Sequence, residues 1–277
     1  GVHSGDGSGI VPSSFRVVRE LLDRLEDSAT GEILPKQLHV KIPKQRQQQA
    51  KVCAKVLGDQ LWKRFPWTKG TKPMAKQLTE LVLNRTWRPF VEVIGADGLP
   101  SVEKGGNVLR PFTTLKLSLR IPPTADPKQC SAALTKVLTK NPVHGAQVKF
   151  SPEPASSGWN APELAPWLEQ ACANASNTFF KKPCVYMGEG GTIPFMGMLG
   201  EKFPEAQFMI TGVLGPQSNA HGPNEFLHVP MGKKLTASVA MVLEEHLARP
   251  RAAKKSGGGA KASKPAKGKK QKKGKPE

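Results

Sequence analysis

Leu115, Leu117, Leu119 and Ile121 alternate with Lys116, Ser118 and Arg120 from Thr114 to Ile121. A period of two over this length describes a strand with one dry face and one wet face. Pro122 and Pro123 stop it, because neither can donate to a ladder. Asp126-Pro127-Lys128-Gln129 then has the form of a helix start, with a capping carboxylate, a proline at the first helical position and a Gln placed to reach back. That helix passes through Cys130, Leu134, Val137 and Leu138 and closes at Asn141-Pro142. The middle of the chain is thereby committed to helix packed on sheet.

The flanking patterns extend this reading. Phe15, Val18, Leu22 and Leu25 share a helical spacing within Ser13 to Asp27, with Ser13 and Ser14 as candidate caps. From Pro35 to Trp87 two further helical patterns follow, Cys53, Leu57, Leu61 and Phe65, then Met74, Leu78, Leu81 and Val82, separated by Pro66-Trp67-Thr68-Lys69-Gly70. This block holds Trp62, Trp67 and Trp87, and reads as a packed helical insertion over 35–88. Phe90 to Ile94 and Gln147 to Phe150 read as strands. Helix, strand, strand, helix, strand is a ferredoxin-like βαββαβ unit lacking its first strand. Such a unit folds as a four-stranded antiparallel sheet with two helices on one face. The expected boundaries are 1–153 for this α+β unit and 154–250 for a second, α/β region. In the second region, Leu164, Leu168, Ala171, Cys172, Ala175 and Phe179 mark a buried helix. Phe208 to Leu214 is a nearly continuous apolar strand of the kind covered on both faces, and Leu235, Val239, Val242 and Leu243 mark a last helix. One buried strand and two helices are too little for an independent domain, so this region reads as the end of a larger one.

The net charge of +19 is unevenly placed. Residues 251–277 carry eleven Lys and Arg against one acid and contain no aromatic, Leu, Ile or Val. Such a tail cannot bury enough apolar area to offset its ordering entropy, and is expected to be disordered. Its charge suits polyanions such as nucleic acid. No apolar run approaches the roughly 18 residues of a membrane span, so no membrane partner is expected. Cys53, Cys130, Cys172 and Cys184 are widely spaced, without a C-x-x-C pair, and read as reduced core thiols of a cytoplasmic protein. The chain opens Gly1-Val2-His3-Ser4-Gly5, with no initiator Met and no export signal, and reads as starting within a longer protein.

Three segments carry unusual polar chemistry. His3-Ser4-Gly5 stands directly before a helix. Gly188-Glu189-Gly190-Gly191-Thr192-Ile193-Pro194 places a carboxylate and a hydroxyl around a glycine pair whose N–H groups can approach a ligand. Gly215 to Glu225, with His221, follows the apolar strand, where open α/β sheets bind ligands and where a neutral imidazole suits zinc. His39, His144, His228 and His246 show no H-x-x-x-H or H-x-D spacing, and Glu244 and Glu245 read as a solvated helix face. Gly5-Asp6-Gly7-Ser8-Gly9 lacks the G-K-[ST] of a phosphate loop.

Taken in order, G-x-H-S-G, a strand ending in Arg, E-G-G-T-I-P and G-x-x-x-x-A-H-x-x-N-E resemble the co-catalytic zinc metallopeptidases of the aminoacylase, carnosinase and succinyl-diaminopimelate desuccinylase type, over residues 1 to about 249. The resemblance implies a βαββαβ lid that mediates homodimerisation, inserted into an α/β catalytic domain holding two zinc ions, with manganese or cobalt as alternative metals. It further implies hydrolysis of dipeptides or N-acyl amino acids. By the same resemblance His221 is a metal ligand, and His3 is a catalytic residue that polarises the scissile carbonyl in a partner subunit. Arg120 binds the substrate carboxylate, for which a guanidinium is suited, and Asn107 lies near the substrate. Glu189, Gly190, Gly191 and Thr192 grip the substrate's other end.

Two departures follow. Arg110 stands where the family pattern has Pro, with Pro111 one place later. The family's H-x-D motif, bridging Asp and Glu-Glu pair all precede the lid, and two ions held about 3.5 to 4 Å apart need several ligands. The chain alone is therefore expected to be inactive. The alternative is a non-catalytic dimerisation module with a nucleic-acid-binding basic tail.

Overall fold

The computed structural model describes residues 1–189 and 194–250. Gly190, Gly191, Thr192 and the Lys-rich tail of residues 251–277, expected to be disordered, lie outside the described residues. The elements run β1 (Val2–His3), α1 (Ser14–Leu22), β2 (Glu26–Asp27), β3 (Glu32–Ile33), α2 (Lys44–Leu57), α3 (Gln60–Lys63) and α4 (Leu78–Trp87). They continue with β4 (Phe90–Asp97), β5 (Val108–Leu109), β6 (Thr114–Arg120), α5 (Pro127–Thr139), α6 (Pro166–Phe180), α7 (Pro194–Lys202) and α8 (Val229–Ala248). The result is a mixed helix-and-sheet fold, and no described helix is long and apolar enough to cross a membrane.

β4 and β6 pair antiparallel from Phe90 opposite Arg120 to Asp97 opposite Thr114, with a bulge between Val93 and Gly95. The dry face of this ribbon presents Val91, Leu117 and Leu119 to Leu25, Ile33, Leu38, Cys130 and Leu134. α5 lies against it because Cys130, Leu134 and Leu138 repeat at helical spacing. Its start is as expected: the Asp126 carboxylate accepts from the N–H groups of Lys128 (2.8 Å) and Gln129 (3.2 Å). The Gln129 side chain reaches back to the Asp126 carboxylate, at 3.2 Å. α1 packs beside α5 through Val17 and Leu21 against Leu138. This corrects the expected face of α1: the helix ends at Leu22, Phe15 is exposed, and Leu25 is buried from the following turn rather than from the helix.

The expected four-stranded sheet is not formed among the described residues, which carry three two-stranded ribbons, β1 with β5, β2 with β3, and β4 with β6. Gln147 to Phe150 keeps the predicted alternation, Val148 and Phe150 turning toward α1 and α5 while Gln147 and Lys149 face out. No ladder forms there, however. Phe208 to Leu214 likewise has no strand assignment, and Ile210, Val213 and Leu214 are 56%, 51% and 55% exposed. Periodicity reports which side chains want burial; a strand also needs a neighbour for its N–H and C=O groups.

In the 35–88 block, Ala50, Cys53, Val82, Leu83 and Trp87 bind α2 to α4. The expected helix through Leu61 and Phe65 is cut at Gly58, which takes φ 54° and closes α2. Phe65 and Met74 stand outside the helices and are exposed. α6 packs on α8 through Leu168, Ala171, Cys172, Ala175 and Val242, whereas Leu243 faces solvent. All four cysteines are free thiols. Burial pushes Cys53, Cys130, Cys172 and Cys184 up from the ordinary thiol range, so none of them is poised as a thiolate nucleophile.

One carboxylate near the core is held in an unfavourable place. Partial burial raises the Glu26 carboxyl above its usual value, and Glu92 and Asp27 add like charge. A raised folded-state value means that stability falls as pH rises from the unfolded value through the folded one. Glu26→Gln is therefore expected to raise the melting temperature at pH 7 and to lose that advantage near pH 4, read by scanning calorimetry at both pH values.

Candidate functional site

β1 and β5 bring together two of the predicted residues from 104 positions apart. Val2 pairs with Leu109 and His3 with Val108, and the Ser4 N–H donates to the Asn107 carbonyl at 2.8 Å. His3 and Asn107 thus sit on one two-stranded ribbon, both exposed. Gly7 is packed against Leu109 and Val2, so the glycine-rich stretch after His3 folds onto the ribbon and is no phosphate loop. His3 Nδ1 accepts from the N–H groups of Gly5 (3.2 Å) and Asp6 (3.4 Å). With Nδ1 engaged as an acceptor, the neutral ring carries its proton on Nε2, directed outward as a donor. That is the tautomer which polarises a carbonyl oxygen. Arg110, the departure from the family pattern, has local work: its Nε donates to the Gly98 carbonyl at 3.0 Å, and its own carbonyl accepts from Ser14 Oγ at 3.0 Å.

Arg120 ends β6, opposite Phe90. At about 3.4 Å per residue the Thr114 end of the strand is about 20 Å away, and that end adjoins α1 through the Ser14–Thr113 hydroxyl pair at 2.8 Å. Arg120 is therefore set apart from the His3–Asn107 ribbon along the β4–β6 axis. Its neighbour across the ladder, Phe90, follows directly on α4, and α4 also holds the Glu189 segment. Arg85 Nη2 pairs with Glu189 Oε2 at 3.0 Å, Gly188 lies on Thr86, and Val185 and Met187 pack into the α2–α4 core. Arg120 and Glu189 accordingly both border the C-terminal end of α4. Spacing gave no sign that Arg85 would hold Glu189, because it reads as an ordinary cation of an amphipathic helix.

Past Glu189, α7 opens at Pro194 onto a cleft lined by Trp159, Met198, Glu201 and Phe208, with Trp159 edge-on to Phe208 at 5.3 Å. Gly200 leaves no room for a side chain against Trp159. Neither α7 nor Trp159 was legible from periodicity.

His221 lies in a tightly built loop. Gln217, Asn219 and His221 take φ of 62°, 53° and 60°, a left-handed alternation unusual for residues other than glycine. The loop is closed by Ser218, 2% exposed, whose Oγ accepts from the Gly215 N–H at 3.1 Å and whose carbonyl accepts from the Phe226 N–H at 3.2 Å. Gly215 packs against His228 and Met231, and the His221 N–H donates to Glu225 Oε2 at 3.1 Å. The imidazole of His221 is exposed on this frame. Among the described residues no group of three or more His, Cys, Asp and Glu is placed to hold a metal ion. His221 is a single donor, and the described residues do not by themselves fit a two-ion centre.

Three of the other four histidines have structural work, and His144 stands exposed 3.9 Å from Glu20. His39 Nε2 bonds the Ile33 carbonyl, His228 Nδ1 caps α8 by accepting from the Met231 N–H at 3.1 Å, and His246 lies on the Trp167 ring at 5.2 Å. Glu244 is solvated as expected, but Glu245 is partly covered and accepts from Asn174 Nδ2 at 3.1 Å.

No family model matches the chain. A stretch of 152 residues is 25% identical to the cysteinylglycine-S-conjugate dipeptidase of Corynebacterium striatum, covering 53% of this chain and 33% of that protein. The fold is similar to that of human carnosine dipeptidase 1, at 20% identity and a TM-score of 0.58, over 89% of this chain and 52% of that one. It is also similar to the M20 family metallo-carboxypeptidase Sso-CP2 of Sulfolobus solfataricus (19% identity, TM-score 0.60, 88% and 55%). The di-peptidase Dug1p of Saccharomyces cerevisiae matches at 17% identity with a TM-score of 0.53, over 90% and 52%. The chain spans about half the length of these solved structures and matches a third of the curated relative.

Proposed function

We propose that this chain is a member of the M20 metallopeptidase family and supplies the lid and the C-terminal catalytic part of an enzyme cleaving peptide or amide bonds of dipeptides or N-acyl amino acids, a reading supported by its similarity in sequence to a dipeptidase and in fold to peptidases of that kind. The lid is residues 1–153, with its helical insertion at 35–88, and the catalytic part is residues 154–250. The observation that carries this reading is the β1–β5 ribbon, which seats His3 beside Asn107 across a gap of 104 residues. The ribbon's own backbone bonds and the packing of Val2 and Gly7 on Leu109 hold the pair in place, which leaves both polar side chains exposed to a substrate.

In this reading the outward Nε2–H of His3 donates to the scissile carbonyl oxygen, and the amide of Asn107 orients the same group. Arg120 takes the substrate carboxylate in a two-pronged hydrogen bond. Glu189, held by Arg85, faces the opposite end of a short substrate together with Gly190, Gly191 and Thr192. The distance from Arg120 to the His3–Asn107 ribbon favours a composite site, in which a second lid of a homodimer supplies His3. His221 is one ligand of a two-ion centre, zinc by preference. The ions' chemistry, when bound, is to polarise the carbonyl and to generate a nucleophilic water. The other ligands of such a centre are not among the described residues and would come from a part of the enzyme outside them. Without it the chain does not turn over substrate. The free thiols fit a cytoplasmic enzyme.

The reading frame immediately upstream of the Gly1 codon tests this. About 200 further residues with H-x-D, a bridging Asp and Glu-Glu are expected. A start codon at that point with none of these motifs would overturn the enzymatic reading and leave a dimerising module with a basic tail.

A further inference from the structure

The charge outside the tail is concentrated in one place. Residues 36–76 hold eleven Lys and Arg and one acid, Asp59, a balance of +10 within the +9 carried by residues 1–250. The other 209 of those residues therefore sum to about neutral, at −1. This segment is α2, α3 and the arm that follows them. On α2, Lys44, Lys51 and Lys55 are exposed at spacings of seven and four, which set them along one face. Beyond α3 the chain from Lys63 to Lys72 is exposed at every residue, with Lys63, Arg64, Lys69 and Lys72 among them.

Large rings interleave with these cations. Phe65 is 48% exposed and Trp67 37% exposed, although burying either would be favourable. Both are held in place. The Trp67 indole N–H donates to the Trp62 carbonyl at 2.6 Å, and the two indoles meet edge to face at 5.9 Å. Lys63 Nζ stands 5.5 Å over the Trp62 ring and Arg64 Cζ 4.8 Å over the Phe65 ring. Partial burial and the like charge of Arg85 hold the Arg64 guanidinium below the usual range, against the opposing pull of the Glu189 carboxylate.

We propose that the arm around Trp62, Phe65 and Trp67, with the cationic face of α2, is a binding site for single-stranded nucleic acid. Fixed rings offer stacking platforms to unpaired bases, and the surrounding Lys and Arg neutralise the phosphates. This is the combination by which single strands are bound without sequence preference. A duplex buries its base faces and has no use for the rings, and a flexible Lys-rich tail has none to offer. The residues that the test changes are not in the proposed peptidase set, although Arg64 lies within electrostatic reach of Glu189.

The test is fluorescence anisotropy of a labelled twelve-residue oligothymidylate titrated with the full chain, tail included. Removing both exposed rings, in Phe65→Ala with Trp67→Ala, is expected to weaken binding about tenfold or more, at one to a few kcal/mol per stacked base. Circular dichroism should show an unchanged fold. Changing Lys63, Arg64, Lys69 and Lys72 to Gln is expected to reduce the slope of log affinity against log salt by about 3, at ~0.7 per phosphate contact. Affinity for single strands that exceeds affinity for duplex of the same length supports the proposal. Binding that is unchanged by the double ring substitution, or equal for duplex, overturns it and assigns the affinity to the tail; no binding at 0.1 M salt also overturns it.

Discussion

Leu25→Ala is expected to destabilise the chain by about 3 kcal/mol, as a fully buried leucine does when truncated where its neighbours cannot collapse. Leu25 is 0% exposed and stands at the centre of the cluster formed with Ile33, Leu38, Val91, Cys130 and Leu134. Its backbone is fixed on both sides, its N–H donating to Leu22 at 2.8 Å and its carbonyl accepting from Leu34 at 2.8 Å. The side chain therefore cannot move to fill the gap. At about 2 to 4 °C per kcal/mol for a chain of this size, the melting temperature should fall by about 6 to 12 °C. Leu243→Ala, at 63% exposed, is the control and should change it little. A small effect at Leu25 would mean that β4, β6 and α5 do not share the core described above.

Where a pattern is local and strong, the sequence reading reached the structure. Asp126-Pro127 opens α5, the Thr114 to Ile121 alternation becomes β6, and the α6 spacing buries Leu168, Ala171, Cys172 and Ala175. It failed where burial or pairing is decided at a distance. α1 turns Val17 and Leu21 inward instead of Val18 and Leu22, because α5 and Val148 approach from that side. Gln147–Phe150 and Phe208–Leu214 carry strand-like composition, but composition does not supply a neighbouring strand. The β1–β5 ribbon spans two residues on each side, too short for any period to register, so the sequence offered no sign that His3 and Asn107 lie side by side. The loop of His221 was singled out by its place after an apolar run, but its geometry depends on Gly215, Ser218 and three left-handed residues that no repeat announces. Arg85 and the Trp159 cleft left no sequence signal, since a helix cation and a lone aromatic are ordinary in any chain.

The second large effect concerns catalysis. His221 is the described residue proposed as a metal ligand, and its exposed imidazole is carried on a loop whose frame does not depend on it, since only the backbone N–H of His221 takes part in the closing hydrogen bonds. His221→Ala should therefore leave the fold intact while removing one donor from the two-ion centre. Loss of groups that merely support ligands lowers metal affinity or activity by about 10- to 100-fold, and loss of a ligand itself is expected to exceed that. The decisive measurement is hydrolysis of a dipeptide panel by the intact gene product, with zinc, manganese or cobalt supplied and then chelated, for the native protein and for His221→Ala. Metal-dependent hydrolysis that falls more than about 100-fold in the variant, at unchanged circular dichroism, is the expected result. Absence of hydrolysis by the native product under every metal, or hydrolysis indifferent to both chelation and His221→Ala, would contradict the assignment of this chain to a working metallopeptidase.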